Sequence, residues 1–478
     1  MSRPRPSAVH PRSGGHRNAG AGRSQPSRLA PAERAPFEVT VDKLSHDGRG
    51  IASHEGKTLF VEGLLPGECA KVTLRSVQSR FSEAAVQTLL SASSERSEPI
   101  CGHYQRCGGC NLQHLDVARQ LNFKQDAVQD QVRRWGGQVP ARLLPPITSE
   151  HQGYRSRARL SVWYQRNGKI ALGFREGRSK QLVEIEHCPV LAPSLQAMLD
   201  PLRQWLHGLQ AKRAVAHLEL LGMGLPLALV VRHTSPLKTP DVQALKALAQ
   251  TAQAQVWLQP DAEGPLRDLD GQVSDPRLYY ELPEQGIRLA YHPRDFTQVN
   301  PRVNRAMVSQ ALSLLAPSAS ERVVDLFCGI GNFTLPLARQ AGEVIGLEAV
   351  ESMVTRGREN AEANGIRNVQ FKAVDLEEDL DQMTGPDGLG SVDAVLLDPP
   401  RAGAKGAMDL LRQLSASRIV YVSCNPATLA RDSQILGEMG YRLEALGVMD
   451  MFPHTAHVES MALFIKDRSR LPVKDRIR

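Results

Sequence analysis

Apolar positions along the chain fall into distinct regimes. From Phe37 to about Leu90, the short alternating runs FEVTVDKL, KTLFVEGLLPGE and CAKVTLRSV are broken by Gly48, Gly50, Gly63 and Gly67. A period of two marks half-buried strands, and strands this short with glycine at the breaks predict a small closed β-barrel. From about Arg322 to Lys466 a second regime holds: RVVDLFCGIG, EVIGLEA, VQFKAVD, SVDAVLLDPP, RIVYVSCNP and SMALFIK, with helix-like segments between the first five. That alternation predicts a doubly wound α/β domain with a mostly parallel sheet. TGPDGLGS at 384–391 reads as a connecting loop. Between the two regimes, residues 191–285 read as mixed helices and strands without identifiable chemistry.

Charge changes this picture at the ends. The 478 residues carry a formal +7, of which residues 1–35 hold +6 and residues 466–478 hold +4, leaving −3 for residues 36–465. Basic arms on a near-neutral body fit a polyanionic partner, although a solubilising tail explains the N-terminus equally well. Residues 1–35 resemble a transit peptide in composition, but with no amphipathic period and no signal-peptide core they are expected to be disordered. No apolar run approaches the roughly 18–20 residues of a membrane span. Seven cysteines with no secretion signal point to reduced thiols in a cytosol. Inside the body, Gly153 to Lys180 has eight basic residues and one acid. Arg155, Arg157 and Arg159 recur at period two among Tyr154, Trp163, Tyr164 and Phe174, which suits an RNA surface. A solvated sheet face is the plainer reading.

The candidate chemistry lies at strand ends of the second regime. DLFCGIGNF sets Gly329 and Gly331 between strand and helix, where absent Cβ atoms let a ligand approach. A dinucleotide fingerprint would need glycine at Thr334, which disfavours an NAD enzyme. Glu348 ends the next strand, where a carboxylate can accept both ribose hydroxyls of an adenosine-bearing cofactor; an acid capping the following helix is the alternative. Asp375 ends the third strand, and Asp398 with Pro399 and Pro400 ends the fourth. This order resembles S-adenosylmethionine-dependent methyltransferases. Cys424 follows the Ile419–Val422 run and precedes a helix whose N-terminus favours thiolate. Buried, inert cysteine is its competing reading. A thiolate makes sense for uracil, because addition at carbon 6 turns carbon 5 into a nucleophile. The carbon 5 proton then needs a base, for which Glu459 is the best-placed candidate and His454 and His457 are rivals. Cys101, Cys107, Cys110 and the distant Cys188 have spacing that favours an iron–sulfur cluster over zinc, with unligated thiols as the third possibility.

Taken in order, DFTQVN, DLFCGIGNFTLPLA, LLDPPRAG, YVSCNPATLARD and DMFPHTAHVE resemble the family of RNA uracil-C5 methyltransferases over roughly residues 37–466. DGRGIA and FVEGLLPGE resemble a TRAM domain, an RNA-binding barrel. The resemblance implies Cys424 as nucleophile and Glu459 as base. It implies S-adenosyl-L-methionine contacts at Gln298, Phe327, Asn332, Glu348, Asp375 and Asp398, of which Asp375 is the position where relatives can carry Asn. Cys328, inside the glycine motif, has no covalent role. A [4Fe-4S] cluster on Cys101, Cys107, Cys110 and Cys188 is implied by the ribosomal-RNA branch. Having both barrel and cysteines separates the chain from the tRNA uracil-54 branch, which lacks both, and from a ribosomal branch that lacks the barrel. The expected partner is therefore 23S rRNA, free or before assembly, and the expected enzyme a cytoplasmic monomer. Rivals are m5U formation at a second rRNA uridine or in tRNA, an amino-methyltransferase using Asp-Pro-Pro, and a non-catalytic RNA-binding module. The expected architecture is multidomain: a basic tail (1–35), an OB-like TRAM β-barrel (36–92), a central α+β domain with the iron–sulfur cluster and an RNA-binding face (93–290), a Rossmann-like class I methyltransferase domain (291–468) and a basic tail (469–478).

Overall fold

A computed structural model describes residues 35–224, 226–261, 264–376 and 388–467. The expected basic tails, apart from Ala35, and residues 384–387 of the expected loop lie outside the described residues. The N-terminal block forms six strands: β1 (Phe37–Thr40), β2 (Lys43–Leu44), β3 (Gly50–His54), β4 (Lys57–Val61), β5 (Cys69–Val77) and β6 (Phe81–Ser91). They make one sheet in the order β1-β5-β6-β4-β3-β2, and its apolar alternates (Val39, Leu59, Val61, Ala70, Val72) share a core. Gly50 is required by packing, since a Cβ there would lie 3.0 Å from Val41 and 3.1 Å from the Leu64 carbonyl.

Asp116 then caps a 20-residue helix, α1 (Val117–Gly136), by accepting hydrogen bonds from the Ala118 and Arg119 amides. Gly137 ends it in the left-handed conformation, φ 62°. The buried face repeats every fourth residue: Gln120, Lys124, Val128, Val132 and Gly136. The central sheet follows, in the order β10-β9-β8-β11-β12-β13-β14-β15. Its main strands are β8 (Arg157–Tyr164), β9 (Ile170–Arg175), β10 (Leu182–Glu184), β11 (Val215–Leu221), β12 (Leu227–His233) and β13 (Ala254–Gln259), with β14 (Leu266–Arg267) and β15 (Val273–Ser274) at the edge. A hairpin of β16 (Leu278–Leu282) and β17 (Ile287–Tyr291) leads out of it.

The C-terminal sheet contains β18 (Arg322–Leu326), β19 (Glu343–Glu348), β20 (Val369–Ala373), β21 (Ala394–Leu397), β22 (Arg418–Ser423), β23 (Tyr441–Met449) and β24 (Glu459–Lys466). Their order is β20-β19-β18-β21-β22-β24-β23, and β24 alone in this series runs against its neighbours. The eighth strand is β7 (Arg142–Leu143), which pairs with β23. Residues 117–143, read from sequence as part of the central block, thus go with the C-terminal sheet, 142–143 as its eighth strand and α1 packed on a helix beside it. The reason is the apolar stripe of α1, which finds its partner in the helix Pro426–Glu438. A Cβ at Gly136 would lie 3.0 Å from the Ala430 carbonyl. One core runs without a break from Val230 of the central sheet through Leu289 to Val344 and Met461. Among the described residues, no helix is long and apolar enough to cross a membrane.

Candidate active site

β18, β19, β21 and β22 are parallel, so their carboxyl ends share one edge. Open α/β sheets bind ligands at that edge. The chain leaves β18 through a turn with three left-handed residues: Phe327 (φ 62°), Gly329 (φ 56°) and Gly331 (φ 97°). For phenylalanine this conformation costs on the order of 1–2 kcal/mol, a strain that tends to persist at functional sites. Glu348 braces the turn. One carboxylate oxygen accepts from the Gly329 amide at 3.1 Å and the other from the Val350 amide at 3.0 Å. Each oxygen retains a lone pair for a ligand hydroxyl.

Gly331 plays another part than expected. A Cβ there would meet Leu335 and Phe371, each at 3.1 Å, so the missing side chain makes room for protein. Asn332 is also turned inward: its amide pairs reciprocally with Asn304 at 3.0 Å and accepts from the Tyr280 hydroxyl at 2.9 Å. Asp375 is exposed two residues beyond β20. Asp398 directly follows β21, and burial raises its pKa to about 7. Gln298 is half-buried in a segment held from three sides. Arg157 donates to the Pro293 and Asp295 carbonyls, both at 2.6 Å. Arg356 pairs with the Asp295 carboxylate at 2.5 Å, and Ser156 donates to the Val299 carbonyl.

Cys424 and Glu459 are brought together by strand register. Ser423 of β22 lies opposite Ser460 of β24, which sets the residues just beyond them side by side. Asn425 caps the helix Pro426–Glu438 through the Ala427 amide and donates to the Arg401 carbonyl at 3.0 Å. Glu459 is buried, and that burial, reinforced by Asp398, raises its pKa to about 8. Cys424 is half-buried, and burial followed by the charges of Glu459 and Asp398 pushes its thiol up to about 11. The expected helix-favoured thiolate is therefore not the ground state of the free protein. Desolvation and two acids outweigh the helix terminus. Arg401 pulls both groups back down and donates to His457 Nδ1 at 2.9 Å. Sequence reading passed over Arg401, although it stands in the LLDPPRAG run beside the aspartate that was chosen.

The rival bases fare unequally. His454 is 2% exposed, its pKa is lowered to about 4 by burial, and it faces Gln120 on α1. His457 lines the same cavity as Cys424. That cavity, about 700 Å³, also takes in Gln298, Arg401, Glu459 and all four candidate metal cysteines. A second cleft of about 720 Å³ opens from Cys424 toward the N-terminal sheet between Arg75, Arg96, Arg178 and Arg401.

The cysteine segment is pressed against the central sheet. The Gly108 amide donates to the Arg175 carbonyl at 3.0 Å, and a Cβ at Gly108 would sit 2.8 Å from the Gly177 Cα. Burial raises the thiols of Cys107, Cys110 (to about 12) and Cys188 (to about 11), and neighbouring cysteines raise each of them further. The four sulfurs thus lie near enough for their charges to be felt between segments, Cys101 at Cys107, Cys110 and Cys188 alike. Among the described residues, no group of three or more His, Cys, Asp or Glu side chains is placed to hold a metal ion. A set of thiols alone, all lining one cavity, is the donor chemistry an iron–sulfur cluster requires. On the face expected to meet RNA, Tyr154 is buried and donates to the Pro453 carbonyl at 3.1 Å, and Arg157 is committed to the 293–295 carbonyls. Arg159 and Trp163 remain exposed.

A methyltransferase-type sheet with a cysteine and a buried glutamate at its ligand edge defines the class. The chain belongs to the family described as tRNA (Uracil-5-)-methyltransferase, whose model matches residues 117–467; a TRAM domain model matches residues 33–86. In particular, it is similar to the 23S rRNA (uracil(1939)-C(5))-methyltransferase RlmD of Alkalilimnicola ehrlichii, 47% identical over 91% of this chain and 97% of the relative. The enzyme of the same name from Alcanivorax borkumensis is 43% identical over 91% and 98%. Among solved structures, Pyrococcus abyssi tRNA (uracil-54, C5)-methyltransferase in complex with S-adenosyl-L-homocysteine has the same fold, with a TM-score of 0.68, 22% identity, and coverage of 91% of this chain and 100% of that one.

Proposed function

We propose that the chain transfers a methyl group from S-adenosyl-L-methionine to carbon 5 of the uridine at position 1939 of 23S rRNA. The observation that carries this reading is the pairing of Cys424 with Glu459 on the sheet edge, in a chain so similar to enzymes named for that uridine. Cys424 releases its thiol proton to solvent and bonds as thiolate to carbon 6, and carbon 5 of the resulting enolate takes the methyl as S-adenosylhomocysteine departs. Glu459 then removes the carbon 5 proton, and the carbon 6–sulfur bond breaks to return the thiolate. Glu348, the Phe327 turn, Asp375, Asp398 and Gln298 are assigned to the cofactor; Asn332 serves it by holding the turn through Asn304. Mapping 5-methyluridine in 23S rRNA from cells lacking the chain tests the assignment. Loss at 1939 alone is expected, and an unchanged 1939 would refute it. The competing amino-methyltransferase would leave Cys424 without a role.

Cys101, Cys107, Cys110 and Cys188 are the residues that would hold a [4Fe-4S] cluster. Bound there, it would cross-link the 101–110 segment to the central sheet. Protein purified without oxygen is expected to contain about four irons per chain and to absorb broadly in the visible. A colourless, zinc-containing protein would overturn this. The N-terminal barrel, Arg159, Trp163 and the basic tails are assigned to RNA contact, and the enzyme to the cytoplasm as a monomer acting on RNA before assembly.

Because burial raises Glu459 to about 8, most of it is protonated at neutral pH. The free carboxylate appears only as pH rises, and it acts after methyl transfer, so multiple-turnover kcat is expected to climb between pH 6 and about 8.5. A flat profile over that window would exclude Glu459 as the controlling base.

A further inference from the structure

The two groups assigned to act on one uridine stand on separate elements. Cys424 precedes the helix Pro426–Glu438, and Glu459 follows the 450–458 loop. Helix α1 touches both. At its C-terminal end Gly136 packs on the Ala430 carbonyl, and Gln138 just beyond donates to the Ser433 carbonyl at 2.8 Å. At its N-terminal end the same stripe becomes polar while staying buried. Gln120 Oε1 accepts from the His454 amide at 2.8 Å. Lys124, 0% exposed, donates to Asp450 Oδ1 at 2.6 Å and to the Phe452 carbonyl at 3.0 Å. Apolar residues would satisfy packing at Lys124 and Asp450 as well or better, because a buried pair seldom stabilises more than its hydrophobic replacement. What the pair adds is direction: three fixed donors and acceptors allow one placement of the loop.

We propose that Lys124, supported by Gln120, is a positioning residue for Glu459, holding the loop through Asp450 and the Phe452 carbonyl so that the carboxyl faces the base attached to Cys424. This rests on Glu459 as the base. The loop is reached from the cysteine segment too. Asn111, next to Cys110, accepts from the Ala456 amide at 2.9 Å, and the Asn111 and Leu112 amides donate to the His454 carbonyl.

The test is the paired substitution Lys124→Met with Asp450→Leu in the full-length, cluster-loaded chain, which removes both charges and leaves no buried polar side chain unpaired, the Phe452 carbonyl keeping its Thr455 donors. It is expected to bind S-adenosylmethionine and melt as the parent does. Its kcat should fall about 100-fold, the cost of a misplacement on the order of 1 Å, with KM for 23S rRNA changed by less than about twofold. A protein–RNA adduct stable to denaturation should accumulate. In a Glu459→Gln background the pair should cost nothing more, since both act on one step. Parental turnover, a kcat loss without adduct, or losses that add fully to those of Glu459→Gln would each overturn the proposal. Should the pair variant fail to fold, Gln120→Met, which leaves the ion pair in place, must show the same adduct and kcat loss in smaller degree; parental turnover there overturns the proposal as well. Normal turnover by Glu459→Gln alone would instead refute the base assignment, and this inference with it.

Discussion

Cys424→Ala is expected to abolish methyl transfer, by on the order of 10⁴–10⁶-fold as for other covalent nucleophiles, while the protein still folds and binds S-adenosylmethionine. The fold survives because the sulfur is half-buried at the end of a strand whose own pairing ends at Ser423. Removing one such atom costs about 1 kcal/mol or less. Cofactor binding survives because the turn and Glu348 lie across β21 from Cys424. Single-turnover transfer of labelled methyl to 23S rRNA, with cofactor affinity measured alongside, checks both halves. Turnover within tenfold of the parent would end the covalent mechanism.

Glu459→Gln should stop the cycle one step later. Methyl transfer precedes proton removal, so methylated RNA is expected to remain bonded to Cys424 and to appear as a slow-migrating species on a denaturing gel. Multiple turnover should fall roughly 10²–10⁴-fold, the usual weight of a general base. Absence of the adduct would assign the base elsewhere, with His457 next in line because it shares the cavity. A second measurement is independent of RNA. The folded protein holds the Glu459 proton up to about pH 8, whereas an unfolded glutamic acid releases it near 4.3. The folded state therefore binds more protons, and stability from this group is lost as pH rises through that interval. Glutamine does not titrate, so the variant's thermal midpoint should rise relative to the parent's from pH 5 to pH 8. A gap that stays constant would mean that the carboxyl is not held protonated.

Much of this architecture was legible along the chain because it depends on local period. Strand runs of four to six apolar residues separated by helical segments dictate a parallel sheet, and residues at their ends fall on one edge whatever packs around them. That logic placed Glu348, Asp398 and Cys424 together. It could not place α1, whose stripe of Gln120, Lys124, Val128, Val132 and Gly136 begins with two polar residues and so conceals its buried start. Nor could it anticipate the protonated thiol, which depends first on burial and then on carboxyls brought in beside it from the ends of β21 and β24. Arg157 illustrates the same limit. Its period-two spacing with Arg159 marks the strand that β8 forms, yet its guanidinium is used by carbonyls more than 130 residues away. Sequence alternation reports which face a side chain takes, and not which partner waits there.

The contacts that set the Glu459 loop join residues 326, 334 and 345 positions apart. During synthesis at about 5–20 residues per second, Lys124 is made roughly 15–65 s before Asp450 exists. For that interval a growing chain carries an amphipathic helix with a lysine in its apolar face and nothing to receive it. The proposed pairing of Cys424 with Glu459 thus waits for the end of the chain, and a ribosome that stops short of residue 450 releases a chain that has the N-terminal sheet and the cysteines but no means of completing the site.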